Sequence, residues 1–154
     1  MLKNIHETTN YIQANIHLKP KIAIILGSGL NRLLDEMNVE ITIPYNTIPH
    51  FPLSTVEGHE GCLVFGTLHG VEIVAMKGRF HYYEGYDMKQ ITFPIRIMKN
   101  LGIETLIISN ASGGLNQRYE VGDIVLISDH INLFPEHPLR GKNESTLGVR
   151  FPDM

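Results

Sequence analysis

A non-alternating apolar run, Ile22 to Leu26, cut off by Gly27-Ser28-Gly29, decides which class of fold is open to this chain. A strand with one wet face alternates apolar and polar residues, so a run without alternation belongs where both faces are covered. Glu104 to Ser109 repeats the pattern, a buried-strand run followed by Asn110-Ala111-Ser112-Gly113-Gly114. Glycine permits positive φ and close approach by a ligand. Gly27-Ser28-Gly29, with the Ser28 hydroxyl and the N-terminus of a short helix over Leu30 to Glu36, is therefore able to surround a phosphate. On its own the triplet reads as a strand-ending turn, since neither a Walker sequence nor Gly-x-Gly-x-x-Gly is present.

The other elements follow from spacing. Leu2, Ile5, Tyr11, Ile12 and Ile16 predict an amphipathic helix packed on the sheet edge. Val39 to Ile43 predicts a short strand, after which Pro44, Pro49 and Pro52 hold an extended loop that delivers Ser54 to His59. Cys62 to Leu68 and Val71 to Lys77, separated by His69-Gly70, predict a hairpin. Met88 to Leu101 predicts a helix capped by Asp87 and stopped by Asn100 and Gly102, with Pro94 kinking it or delaying its regular part. Asp123 to Ser128 predicts a further strand. Strands and helices alternate around a hairpin, which gives an α/β fold with a mixed sheet. From His130 to Met154 the prolines and glycines interrupt every element, and so long an irregular stretch is functional, subunit-contacting or disordered.

A chain of 154 residues suits one domain. A net charge of −3 gives no bias toward nucleic acid or an anionic membrane, and no apolar run reaches transmembrane length. With no secretory signal pattern at the N-terminus, the cytoplasm is the expected compartment. Cys62 is the single cysteine and reads as a thiol buried in a strand. The eight histidines are scattered without metal-ligand spacing, so no metal site is expected.

Arg79 and His81 carry the clearest chemistry. Two residues apart just past a strand, they point the same way in extended chain and together suit an anion, Arg through its planar fork and His through a second hydrogen bond. A surface arginine beside a core histidine fits the local pattern equally well. Tyr82, Tyr83 and Tyr86 around Glu84 read as half-buried packing or as an aromatic wall for a sugar. If β-runs 22–26 and 104–109 are parallel neighbours, their two small-residue turns and Arg79 define one anion pocket.

Taken together, the motifs are more specific than any one of them. Gly27-Ser28-Gly29-Leu30, Gly58-His59-x-Gly61, Gly78-Arg79-Phe80-His81, Tyr83-Glu84-Gly85-Tyr86, Asn110 to Leu115, Gly122-Asp123, Asp129-His130-Ile131-Asn132 and Arg150-Phe151-Pro152-x-Met154 stand in this order. In order and approximate spacing the chain from Ile22 to Met154 resembles trimeric purine nucleoside phosphorylases. The resemblance implies a mixed sheet partly closed as a distorted barrel and flanked by helices. It implies reversible phosphorolysis of purine ribosides, of inosine and guanosine type, to free base and ribose 1-phosphate.

Residue by residue, it implies a phosphate site of Ser28, His59, Arg79, His81 and the Ala111 backbone, with His81 and Glu84 as the catalytic pair. Tyr83 and Phe151 would contact ribose, Phe151 from across a trimer interface. Inorganic phosphate would be co-substrate, with no other cofactor, and the complete form would be a homotrimer. Family members continue past the Arg-Phe-Pro-x-Met segment into a half that carries the purine contacts. Residues 1–154 are therefore expected to form a single, incomplete domain that lacks this C-terminal half and turns over little or no substrate alone. Methylthioadenosine phosphorylase, an inactive phosphate-binding fragment and a plain structural domain are the alternatives.

Overall fold

The computed structural model describes residues 1–27, 29–53 and 61–151. In chain order its main elements are α1 (Leu2–Asn15), β1 (Ile22–Ile25), β2 (Asn38–Pro44), β3 (Cys62–Leu68), β4 (Val71–Lys77), α2 (Met88–Leu101) and β5 (Thr105–Ile108). Short 3-10 turns cover Asn31–Glu36, Tyr45–Thr47 and Tyr82–Glu84.

The strands form one sheet in the order β2-β3-β4-β1-β5. Strand β1 is parallel to β4 on one side and to β5 on the other, while β3 is antiparallel to both β2 and β4. Its sequence explains this central place. Ala23 and Ile25 join the core on the helix side with Val74, Met76, Phe93 and Ile97. Ile24 and Leu26 join the opposite cluster with Met37, Val64 and Ala75, onto which Leu33 and Leu34 of the first 3-10 turn pack. Cys62 is buried in that second cluster, as its neighbours suggested.

Local signals set the boundaries. His69 and Gly70 both have positive φ, 49° and 81°, the backbone that a two-residue hairpin requires, and β3 and β4 pair in full register around them. At the start of α2 the Asp87 side chain accepts from Gln90 N–H at 2.8 Å and the Gln90 side chain accepts from Asp87 N–H at 2.9 Å, a reciprocal cap. Gly102, with φ 94°, ends the helix. Pro94 is buried inside α2, and of the two effects expected of it, a kink or a delay, the delay is not seen, since the helix begins at Met88.

Four expectations are corrected. The run read as a second buried strand, Glu104 to Ser109, forms β5, but Thr105, Ile107 and Ile108 are exposed and Leu106 is half-buried, because β5 lies at the end of the sheet beside β1. Helix α1 lies against α2 and not on a sheet edge: Ile5 and Ile12 are buried in the helix-side core, and Thr8 Oγ1 donates to Pro49 O at 2.6 Å. The five-stranded sheet is open, with β2 and β5 each paired on one side only, so the barrel closure implied by the resemblance is not formed among the described residues. Asp123 to Ser128 is not a strand. Its β-branched residues supply propensity but no ladder partner, and Ile124 and Leu126 stand almost fully exposed. The irregular reading of the chain from His130 holds for the residues described, 130–151.

Candidate functional site: an anion cradle at the strand ends

Because β1, β4 and β5 are parallel, the turns that follow them emerge at one end of the sheet. The pocket condition is met: the two small-residue turns belong to adjacent strands, and Arg79 leaves the strand on the other side of β1. Ser109 joins them. Its hydroxyl accepts from Gly27 N–H at 2.9 Å and its backbone N–H donates to Ile25 O at 3.2 Å. Its carbonyl accepts from Arg79 Nη1 at 2.5 Å. Gly27 has to be glycine here, since a Cβ would sit 2.8 Å from Ser109 O.

Gly78, with φ 91°, turns the chain out of β4 and sets Arg79 and His81 on one side and Phe80 on the other. Phe80 is buried against Tyr45 and Phe51, which anchors the turn. Arg79 Nε donates to His81 Nε2 at 3.0 Å. An arginine cannot accept, so this contact leaves Nε2 without a proton and places the ring proton on Nδ1. That Nδ1–H donates to Glu84 Oε1 at 2.6 Å, and the same oxygen accepts from His81 backbone N–H at 3.0 Å. The Glu84 side chain is only 6% exposed against 32% for His81, so the carboxylate orients the imidazole from beneath. Tyr83 stacks on His81, with ring centroids 4.7 Å apart and planes inclined by 19°, and its other face is open.

The structure thus brings together Arg79, His81, Glu84 and Tyr83, with Ala111 exposed two residues past Ser109. Phe151 is exposed, makes no ring contact with His81 or Tyr83, and has the Arg150 guanidinium 5.8 Å from its ring centroid. Ser28 and His59, both expected in the phosphate site, lie outside the described residues. The Asp129-His130-Ile131-Asn132 motif contributes to a separate cleft beside Tyr82, whose ring meets Phe134 edge-on at 5.5 Å. Sequence reasoning missed two residues. Ser109 was counted only as the end of an apolar run, although a hydroxyl at that position was a signal. Tyr45, whose hydroxyl donates to Gly78 O at 2.7 Å, gave no signal, because the contact spans 33 residues.

Comparison with known proteins gives the class to which this chain belongs. Residues 21–154 match the family model described as the phosphorylase superfamily, and the chain belongs to that family. Its relatives include purine nucleoside phosphorylase 1 of Geobacillus stearothermophilus, 54% identical over 150 residues covering 97% of this chain and 55% of the relative. Purine nucleoside phosphorylase 1 of Bacillus subtilis is 52% identical over 154 residues, covering 100% of this chain and 57% of its own length. A solved purine nucleoside phosphorylase in complex with ribose-1-phosphate superposes with a TM-score of 0.92 at 46% identity, over 99% of this chain and 57% of that one. The chain therefore spans about half the length of the curated relatives it matches.

Proposed function

We propose that this chain carries the phosphate-binding part of a purine nucleoside phosphorylase. In the complete protein the reaction is reversible phosphorolysis of inosine- and guanosine-type nucleosides to free base and (deoxy)ribose 1-phosphate, in purine salvage. The observation that carries the reading is Arg79 hydrogen-bonded at once to His81 and to the carbonyl of Ser109, at the meeting point of three strand-end turns. The relatives' names and the ribose-1-phosphate complex of a structurally similar purine nucleoside phosphorylase support the substrate class.

The chemistry suits these residue types. A phosphate oxygen attacks the anomeric carbon as the bond to the purine nitrogen breaks, and the electron pair leaves with the base, which takes up a proton. Positive charge builds on the ribose ring, so a phosphate held beneath it stabilises the transition state and then captures the carbon. Inorganic phosphate is the co-substrate, and the reading needs no other cofactor and no metal. Arg79, His81, Ser28, His59 and the Ala111 amide are the proposed phosphate ligands, and Glu84 with His81 the catalytic pair. Tyr83 is the proposed ribose contact, a reading supported by its stack on His81 with one face open. Phe151, exposed on an irregular segment, suits a contact with a second subunit, and a homotrimer is proposed for the complete form. Residues 1–154 are read as one incomplete domain. Among the described residues no helix is long and apolar enough to cross a membrane, and a cytoplasmic location is part of the same proposal.

In a complete chain, Arg79→Ala should raise the KM for phosphate about 10- to 100-fold, the value of one or two charge-assisted hydrogen bonds, and the KM for inosine far less. Steady-state kinetics with each substrate varied in turn provides the check. An equal effect on both would remove Arg79 from the phosphate site. Phosphate-dependent release of hypoxanthine from inosine separates an enzyme from a binding remnant, and comparison with methylthioadenosine separates the two phosphorylase readings.

A further inference from the structure

Tyr45 follows the last residue of β2, yet its side chain reaches past β3 to the end of β4. Its backbone N–H donates to Gly61 O at 2.9 Å, just before β3 begins. Its ring occupies the place where a Cβ on Gly61 would be, 2.3 Å from that position, so Gly61 must be glycine for the ring to fit. Phe51 and Phe80 close the ring in, with centroids at 4.8 and 5.4 Å. Thus held, and only 2% exposed, Tyr45 presents its hydroxyl to Gly78 O at 2.7 Å.

That carbonyl belongs to the peptide unit whose N–H is Arg79's. With glycine on one side, φ 91°, the Gly78 backbone torsions are lightly restrained, and a change in Gly78 ψ would turn the Gly78 carbonyl and carry Arg79 with it, away from Ser109 and His81. We infer that Tyr45 is a positioning residue for the anion site, its hydroxyl locking the Gly78–Arg79 peptide so that the Arg79 fork is aimed before an anion arrives. The value of this for phosphate binding rests on the function proposed above. The locking itself does not. Burial raises the phenol well above its ordinary pKa of about 10, so the hydroxyl remains a donor throughout the physiological range.

The test uses the 154-residue chain and its Tyr45→Phe variant, which keeps the ring and deletes only the donor. Solvent exchange of Arg79 Nε–H, followed by NMR without phosphate, should quicken by about threefold or more in Tyr45→Phe, while backbone amides of β1 and α2 keep their protection. Phe51→Leu, which loosens the same aromatic cluster but leaves the hydroxyl, should change Arg79 Nε–H by less than that. An effect below threefold in Tyr45→Phe, or one as large in Phe51→Leu, overturns the inference. Titration with inorganic phosphate runs beside it: wild type should bind more tightly than Arg79→Ala, with Tyr45→Phe between them. If wild type and Arg79→Ala bind alike, the phosphate reading fails, and the exchange data still decide the role of Tyr45.

Discussion

Arg79 has five donors, and the two bonds to His81 and Ser109 engage only two of them, so the guanidinium is held in place with donors to spare. Glu84 does the corresponding work for His81 by accepting two N–H groups on one oxygen. Glu84→Ala should strand both donors at a cost of about 2 kcal/mol, lowering Tm by roughly 4–8 °C in a chain of this size. It should also free the imidazole to turn, since only the Arg79 bond at Nε2 then holds the ring in its Nδ1–H tautomer. Calorimetry and the ring 15N shifts of His81 report the two effects separately, and a Tm within 1 °C of wild type would contradict the geometry. Tyr45 yields a prediction with a definite sign. The unfolded phenol ionises near pH 10, whereas the buried one stays protonated. Above pH 10 the unfolded chain therefore binds fewer protons than the folded one, and stability falls by about 1.4 kcal/mol per pH unit. Tyr45→Phe lacks this loss. The variant should be about 1 kcal/mol less stable than wild type at pH 8, and the difference should shrink and reverse by about pH 11 in urea melts. A difference that stays constant with pH would show that Tyr45 ionises freely in the folded chain.

Elements here were legible wherever their signals are local. Asp87, Gln90 and Gly102 fix both ends of α2 within a turn of its termini, and His69-Gly70 fixes the hairpin, because each sits next to the backbone groups it serves. Asp87→Ala should accordingly cost about 1 kcal/mol, a Tm fall of roughly 2–4 °C, with the amide protection lost first at Gln90 and Ile91. Equal protection in both proteins would mean that the cap is not formed. Pairing was legible only in part. The unbroken apolar run at Ile22 to Leu26 announces a strand covered on both faces, but nothing in it names β4 and β5 as the strands alongside, since that pairing joins residues far apart in the chain. Asp123 to Ser128 failed for the complementary reason: its residues suit a strand, and a strand exists only with a neighbour to bond. The site divides in the same way. Arg79 and His81 could be found from their spacing, whereas Tyr45 and Ser109 act across 33 and 82 residues and depend on the finished sheet.

Taken whole, the molecule has a well-covered core over its first hundred residues and a long apolar surface after β5. Leu115, Val121, Ile124, Leu126 and Ile131 are all exposed, as are Ile107 and Ile108 on β5, which among the described residues is paired on one side only. Exposed apolar area and a free strand edge both favour association. At micromolar concentrations this chain should sediment as more than a monomer, and Ile124→Asp with Leu126→Asp should shift it toward monomer. Sedimentation as a monomer at about 100 micromolar would mean that this surface is not adhesive. The central position of β1 has a further consequence, in time. The strand is made early, but both of its neighbours are made late, and Gly27 meets the Ser109 hydroxyl only after 82 more residues have been added. At ribosomal speeds that is a wait of roughly 4 to 16 s, during which the first turn is present and its fastening is not. A nascent chain arrested before residue 109 would therefore carry Arg79 bonded to His81 but without the carbonyl that holds its other nitrogen, and the guanidinium's second anchor would arrive late in synthesis, with a single serine.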